Sequence, residues 1–131
     1  MNREMKPAAD NVFATCSSCG MQWENLSDFL NDRQVVLNGY QVTLPNPDDG
    51  LFLWTHRNAT CRTTFSVGVA KFKQLYLADI PRESLHGTEV CMRLCDDSSN
   101  LSPCSQACRL RWVRDVIQLL RARKMPAAME I

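Results

Sequence analysis

The sequence predicts an α+β protein in which a small antiparallel sheet is covered by short helices. Three observations support this class. The central part of the chain contains short runs of β-branched and aromatic residues that are separated by turn sequences. Stretches with apolar residues at helical spacing lie on both sides of this centre. The length of 131 residues and the 45% hydrophobic content suit one folded domain.

The predicted strands and the first predicted helix lie in the N-terminal half of the chain. The first residues are mostly polar, and 1–15 are predicted to form a flexible arm. A short helix is predicted for 23–32, because its apolar residues recur at helical spacing. The predicted strands are 34–44, 51–55 and 62–67. Gly39 predicts a kink in the first strand, and the segment 45–50, rich in Pro and Asp, predicts the turn after it.

The C-terminal half is predicted to be mainly helical. Residues 69–77 are predicted to form a short helix, and 90–94 a single helical turn. Ser102 is a suitable N-cap and Pro103 suits the first helical position. A long last helix is therefore predicted to begin here and to run to about Lys124.

The chain is predicted to form a single compact domain after its N-terminal arm. Residues 16–80 are expected to form a ribbon-like α+β unit, against which the cysteine-rich segment and last helix of 81–131 pack. No secretory signal is evident, and no apolar run approaches the roughly 18 residues of a membrane helix. We therefore expect a soluble, cytoplasmic protein of bacterial type. In a reducing compartment, clustered thiols are more often metal ligands or catalytic groups than structural disulfides.

The first group of cysteines predicts a metal site. Cys16 and Cys19 form a C-x2-C pair followed by Gly20, a turn in which two thiolates and nearby backbone N–H groups can face one point. A tetrahedral zinc ion needs two more ligands. Cys61 lies near the start of the third predicted strand and His56 at the end of the second, so both can reach the same end of the sheet. The predicted ligand set is three cysteines and one histidine.

The sequence leaves other interpretations of this group open. His86 is the second histidine of the chain and could replace His56 as a ligand. His56 could instead be a surface-loop histidine, and Cys61 a small buried apolar residue. A thioredoxin-like redox pair is a further alternative, but the β-α-β context that it requires is not predicted around the C-x2-C pair.

The second group of cysteines consists of two C-x3-C pairs, Cys91 with Cys95 and Cys104 with Cys108. Residues four apart share one face of a helix, and the start of the predicted last helix favours thiolate over thiol. Three outcomes suit four converging sulfurs. They are a zinc site with four thiolate ligands, an iron–sulfur cluster, and a nested pair of disulfides, Cys91 with Cys108 and Cys95 with Cys104.

Four segments that carry these residues give the chain a resemblance to known proteins. They are CSSCG, GLFLWTHRNATCRTTFSV, HGTEVCMRLC and LSPCSQACRLRWVRDVIQLL. Together they resemble small bacterial cysteine-rich proteins of the zinc-ribbon type. This resemblance implies a structural metal at the C-x2-C turn and no established activity. The sequence departs from a ribbon at the second knuckle, where Cys61 has no second cysteine beside it. The identity of the fourth ligand is therefore left open by the resemblance, which gives weight to His56.

The last helix is predicted to offer a basic surface to a protein partner. Residues 104–131 contain six basic and two acidic side chains, although the net charge of the whole chain is only +1. Arg111 and Arg114 lie close together in helical projection and are the predicted partner-binding residues. A solvated helix face explains most of these charges, and nucleic-acid binding is a weaker alternative.

No catalytic motif is evident in the sequence. It contains no G-x-S-x-G, no P-loop, no dinucleotide-binding glycine fingerprint and no H-E-x-x-H. The predicted function is therefore that of a small metal-binding protein, with zinc as the expected ion, which acts as a regulatory or adaptor module without catalysis. The alternative is a redox or electron-transfer protein with an iron–sulfur cluster or reversible disulfides at the four C-terminal cysteines.

Overall fold

The computed structural model describes residues 12–44, 46–58 and 60–122, and it confirms an α+β architecture built on small antiparallel sheets. The strands are β1 (Ala14–Thr15), β2 (Gln22–Trp23), β3 (Val35–Gln41), β4 (Leu51–His56) and β5 (Thr63–Gly68). The α-helices are α1 (Leu26–Asn31) and α2 (Arg111–Ala122). Short 3₁₀ helices occupy Pro47–Asp49, Val69–Leu75 and Leu94–Asp96. No helix within these residues is long and apolar enough to cross a membrane.

The strands form two antiparallel sheets. β1 pairs with β2 in a short hairpin, and β3, β4 and β5 form a three-stranded sheet in that order. The three strands predicted from the sequence are thus confirmed, each with slightly different bounds. Ala14 and Thr15, which lie in the predicted flexible arm, form β1 and pair with β2; residues 1–11 of that arm lie outside the described residues.

The predicted kink at Gly39 is a β-bulge in β3. The register between β3 and β4 shifts between Leu37 and Gly39. The amide of Tyr40 donates to the carbonyl oxygen of Ser98 over 2.8 Å. This hydrogen bond attaches the later cysteine-rich segment to this edge of the sheet. A Cβ atom at position 39 would lie 2.9 Å from that same oxygen. Glycine is therefore required here by the close approach of another backbone.

An aromatic core fills the space between the sheet and the helices. The ring of Phe29 from α1 lies edge to face against Trp54 of β4, with centroids 4.7 Å apart, and Phe72 stacks on Trp54 at 5.7 Å. Trp23 stacks on Phe65 at 5.6 Å. All three tryptophans of the chain are buried and are packing residues of the core.

The predicted start of the last helix is wrong. The helix begins at Arg111 and not at Ser102 or Pro103, so Cys104 and Cys108 lie in an irregular segment before it. Side chains of α2 explain the difference, since Gln118 donates to the carbonyl oxygen of Leu101 over 2.8 Å. These contacts keep residues 100–102 extended along the helix and override the favourable cap sequence. The predicted end near Lys124 lies outside the described residues.

Two other predicted helical segments are also altered. The predicted helix at 69–77 is a 3₁₀ helix over Val69–Leu75, whose buried side chains are Val69, Phe72 and Leu75. The predicted helical turn at 90–94 lies slightly later, as the 3₁₀ helix Leu94–Asp96. Both segments are short, and short helices take their form from packing more than from propensity.

Candidate metal centre

The turn between β1 and β2 holds the C-x2-C pair. The amide of Cys16 donates to Met21 O over 2.8 Å, and the amide of Gly20 donates to Cys16 O over 3.0 Å, which closes the turn. Gly20 has a φ of 79°, in the left-handed region that glycine adopts without strain. This conformation lets the Met21 amide donate to the sulfur of Cys19. The turn therefore fixes both the position and the polar surroundings of its two sulfurs.

The other two residues of the group come from the far end of the main sheet. Alternate residues of β4 point into the core, so the burial of Phe52 and Trp54 continues to His56, which is completely buried. Cys61 follows in the loop before β5, where both the amide and the hydroxyl of Thr63 interact with its sulfur. The sheet thus delivers one imidazole and one thiol to the C-x2-C turn.

The four side chains converge as the sequence predicts. The Sγ atoms of Cys16, Cys19 and Cys61 and a ring nitrogen of His56 all lie within 4.8 Å of one another. Cys16 Sγ lies 3.5 Å from Cys61 Sγ, and Cys19 Sγ lies 3.6 Å from His56 Nδ1.

These separations match those expected between the ligands of one ion. With Zn–S bonds of about 2.3 Å and Zn–N bonds of about 2.0 Å, tetrahedral geometry places two sulfurs about 3.8 Å apart and sulfur and nitrogen about 3.6 Å apart. A disulfide would require sulfurs about 2.0 Å apart, and all seven cysteines are free. The arrangement can therefore hold a four-coordinate metal ion with little movement of the side chains.

Arg62 is a site residue that the sequence analysis missed. It follows Cys61 as Gly20 follows Cys19, and with a φ of 55° it adopts the same left-handed conformation. The two thiols thus sit in similar turns, each with the amide two residues later directed at the sulfur. An arginine in this conformation carries strain of about 1–2 kcal/mol. The signal that could have identified it is its position immediately after a candidate ligand.

The polar contacts shift the pKa values of the Cys61 and Cys19 thiols in opposite directions. The hydroxyl of Thr63, followed by its amide, lowers the pKa of Cys61 to about 6. The Met21 amide also favours the Cys19 thiolate, but desolvation and the neighbouring Cys16 and Cys61 thiols raise the pKa of Cys19 above its ordinary value. Near neutral pH, one thiolate is therefore present before any metal binds, and a cation can displace the remaining protons.

The environment of the histidines decides between the alternatives for the fourth ligand. His56 is buried beside Trp23, with ring centroids 5.4 Å apart, so the interpretation as a surface-loop histidine is wrong. Its Nδ1 faces the sulfurs, whereas Nε2 has no hydrogen-bond partner among the described residues. His86 lies elsewhere, with Nε2 2.8 Å from an oxygen of Asp96. His86 therefore does not belong to the first group of ligands.

The four C-terminal cysteines are arranged differently. All four line one cavity of about 20 Å³, together with His86 and Arg114. Within the described parts of the chain, however, they do not form a group whose sulfurs are spaced for one ion, as the first group is. Because helix α2 begins only at Arg111, the prediction that Cys104 and Cys108 share a helix face is also wrong.

Backbone amides are directed at two sulfurs of this second group. Cys108 Sγ accepts from the amides of Leu85 at 3.1 Å and Leu110 at 3.4 Å. Cys91 Sγ accepts from the amide of Arg93 at 3.3 Å. Leu110 and Arg93 each follow their cysteine by two residues, which is the relation seen at Cys19 and Cys61.

The two predicted partner-binding arginines do not form one surface. Arg114 is completely buried, so its prediction as an exposed partner-binding residue is wrong. Arg111 is partly exposed, lies 3.5 Å from a carboxylate oxygen of Asp115, and donates to the Ser105 carbonyl oxygen. The periodicity of the helix could not separate the two, because both lie outside its apolar stripe. Arg114 is buried through its contacts with the carbonyl oxygens of Asn100 and Ser102.

Fold and site together define a small α+β domain with a closed candidate metal centre of three cysteines and one histidine. Four protein ligands are typical of structural zinc sites, whereas catalytic zinc sites keep one position for water or substrate. Comparisons of the chain with known protein families, curated proteins and solved structures give no match.

Proposed function

We propose that the protein binds a zinc ion through Cys16, Cys19, His56 and Cys61, and that it acts as a small regulatory or adaptor module without catalysis. The observation that supports this most strongly is the convergence of four ligand atoms within 4.8 Å. They come from two hairpins that are distant in sequence, since 45 residues separate Cys16 from Cys61. Convergence of this kind is hard to explain by packing of inert cysteines, because Cys19 is exposed.

Zinc suits this donor set better than the other common cations. Thiolate ligands favour zinc or copper over the hard cations magnesium and calcium, which prefer oxygen. A tetrahedral set of sulfur and imidazole donors is typical of zinc. The ion would join the β1–β2 turn to the ends of β4 and β5. β1 and β2 each contain only two residues, so this hairpin has little backbone pairing of its own.

The closed ligand set favours a structural role for the ion and therefore a non-catalytic role for the protein. In this proposal the metal holds the N-terminal hairpin in place, and the folded surface recognises a protein partner. Arg114 cannot belong to that surface because it is buried. The same observation weakens the nucleic-acid alternative, which would need several exposed cations on α2.

The redox alternative is kept for the second group of cysteines, because all four line one cavity and none is disulfide-bonded. An iron–sulfur protein would be brown after anaerobic purification and would absorb visible light. A protein with reversible disulfides would show thiol counts that change with the redox state of the buffer. A colourless protein with constant thiols and bound zinc would exclude both.

Elemental analysis of freshly purified protein tests the proposal directly. To count the first site alone, we would use a chain in which Cys91 and Cys104 are both replaced by serine. It is expected to retain about one zinc ion per chain, and the further change Cys61→Ser is expected to remove it. Absence of metal from the starting protein, with all thiols titratable, would contradict the proposed function.

A further inference from the structure

Arg114 is a buried charge whose partner is not evident. The residue is 0% exposed and lies within α2. Its Nη1 donates to the carbonyl oxygens of Asn100 and Ser102, and its guanidinium carbon lies 5.2 Å from the centroid of the Tyr40 ring. Nε and Nη2 have no hydrogen-bond partner within the described part of the chain. No carboxylate among these residues forms an ion pair with it.

Burying a guanidinium in this way is unfavourable unless an anion accompanies it. Arginine stays protonated, so it cannot avoid the desolvation cost by losing its proton. Two carbonyl oxygens and one ring face offset only part of that cost, and two nitrogens remain without acceptors. The structure therefore requires negative charge close to Arg114.

Thiols are the groups lining a cavity together with Arg114 that can become negative. Arg114 lines the same small cavity as the four C-terminal cysteines. At about 20 Å³ the cavity has space for one water-sized occupant. The sulfurs of Cys91 and Cys108 already accept backbone amide hydrogen bonds of the type seen at the first site. Four potential thiolates and an unpaired guanidinium thus face one another.

We propose that Cys91, Cys95, Cys104 and Cys108 bind a second divalent soft metal ion, and that Arg114 is the counter-ion of the resulting tetrathiolate complex. Binding is a ligand exchange without redox change, in which one M²⁺ joins four thiols and four protons leave. The complex carries two negative charges, which Arg114 partly neutralises. This inference extends the proposed metal-binding function to a second site and can fail while the first site stands.

The competing occupants of the cavity fit the charge and the volume less well. Two disulfides would be neutral and would leave the guanidinium without an anion. An iron–sulfur cluster contains several iron and sulfide atoms, and it therefore requires a larger displacement of the surrounding segments than a single ion does. A single metal ion satisfies both conditions.

Metal binding at this site requires a conformational change. The four sulfurs are not yet spaced for one ion, and Cys91 and Cys104 lie outside regular secondary structure. The irregular segments that carry them must therefore move inward around the ion. Part of the binding free energy is used for this closure, so the second ion is expected to bind more weakly than the first. A site that closes on its ligand is suited to sensing metal.

Titration of the metal-free full-length chain with Co²⁺ under reducing conditions tests the proposal, because tetrahedral cobalt thiolates absorb visible light. Two binding steps are expected, the weaker of which disappears in the Cys91→Ser/Cys104→Ser chain. Arg114→Met should weaken this step by roughly 10- to 100-fold, the usual effect of losing a supporting group next to metal ligands. Arg33→Met, which removes an exposed charge that does not line the cavity, is the control and should leave both steps unchanged.

The possible outcomes separate the two sites. A single step in the wild-type chain, or a weaker step that survives in the double serine chain, would overturn the second site. Unchanged cobalt affinity in Arg114→Met would overturn the counter-ion role. The first step reports whether each variant is folded, because its ligands lie in the other half of the chain. If Arg114→Met also loses the first binding step, the variant is unfolded and Arg114→Lys is measured in its place. Because lysine keeps the positive charge, Arg114→Lys should retain the weaker binding step. Loss of the weaker step in Arg114→Lys would contradict the proposal.

Discussion

The two cysteine groups of this protein have similar ligand counts but differ in how their ligands are held. In the first, the turn between β1 and β2 and the ends of β4 and β5 fix the direction of each side chain, and the ligand atoms lie within 4.8 Å. In the second, the sulfurs lie on irregular segments and one short 3₁₀ helix around a cavity, and they have not converged on one point. The difference indicates that strand ends and tight turns preorganise a metal site, whereas cysteine spacing alone does not.

The two groups nevertheless share one local feature. At Cys19, Cys61, Cys91 and Cys108, the amide two residues later is directed at the sulfur. The local turns of the two groups are therefore similar, and the tertiary framework distinguishes the two sites.

The largest effect is expected from loss of the first metal ion. Chelation, or Cys16→Ser, should lower the free energy of unfolding by at least about 4 kcal/mol when the free metal concentration is about 1,000 times Kd. Urea unfolding with and without chelator measures this. Cys104→Ser is the matched control at the second site and should cost much less. An equal loss of unfolding free energy in Cys16→Ser and Cys104→Ser would show that the first site is no better organised for metal binding than the second.

A smaller effect is expected from Gly39→Ala, which disturbs the contact between β3 and the cysteine-rich segment at Ser98. The new methyl group would meet Ser98 O at 2.9 Å, and such overpacking costs about 1–3 kcal/mol. Gly68→Ala meets no atom within 4 Å and should change stability by less than about 0.5 kcal/mol. The first metal ion should remain bound in both variants, as cobalt absorption would show. Equal unfolding midpoints for the two variants would contradict the close approach at Gly39.

Arg62→Gly is expected to stabilise the protein slightly. It relieves left-handed strain of about 1–2 kcal/mol and adds about 0.5–1 kcal/mol of backbone entropy cost, for a net gain below about 1.5 kcal/mol. Arg57→Gly, at a neighbouring loop position without a positive φ, should give no gain. Thermal unfolding of the metal-bound proteins measures the difference. Destabilisation by Arg62→Gly would show that the arginine side chain contributes more than its backbone conformation costs.

The smallest effect concerns the reactivity of single thiols in the metal-free chain. Because the pKa of Cys61 is lowered to about 6, its alkylation rate should rise through pH 6 and level off above it. Burial raises the pKa of Cys95, so its alkylation should still be increasing at alkaline pH. Peptide mapping by mass spectrometry after brief iodoacetamide treatment follows both. Equal rates at pH 7 would contradict the proposed role of Thr63, and added zinc should protect Cys61.

Much of the first site could be predicted because its signals are local. The C-x2-C pair with Gly20 defines a turn, and the apolar alternation of β4 carries the burial of Phe52 and Trp54 on to His56. The strands were predictable for the same reason, since their periodicity and turn residues are adjacent in sequence. Local patterns were therefore sufficient to indicate the candidate ligands, but the choice of His56 over His86 required the fold of the sheet.

The remaining features depend on contacts between distant residues. Ser102 and Pro103 favour the start of a helix, but Gln118 and Arg114 bind the carbonyl oxygens of residues 100–102 and keep that segment extended. The burial of Arg114 could not be predicted either, because a basic residue at the edge of an apolar helix face is usually exposed. The left-handed conformation at Arg62 could not be predicted, because the position carries an arginine and not the glycine that usually indicates it.

The order of the ligands along the chain has a consequence for synthesis in the cell. Cys16, Cys19, His56 and Cys61 all precede Cys91, the first member of the second group. Since a chain emerges from the ribosome N-terminus first, the earlier ion can be captured while the later thiols are still being made. The nascent protein then offers one complete set of donors at a time, which limits mispairing of sulfurs between the groups.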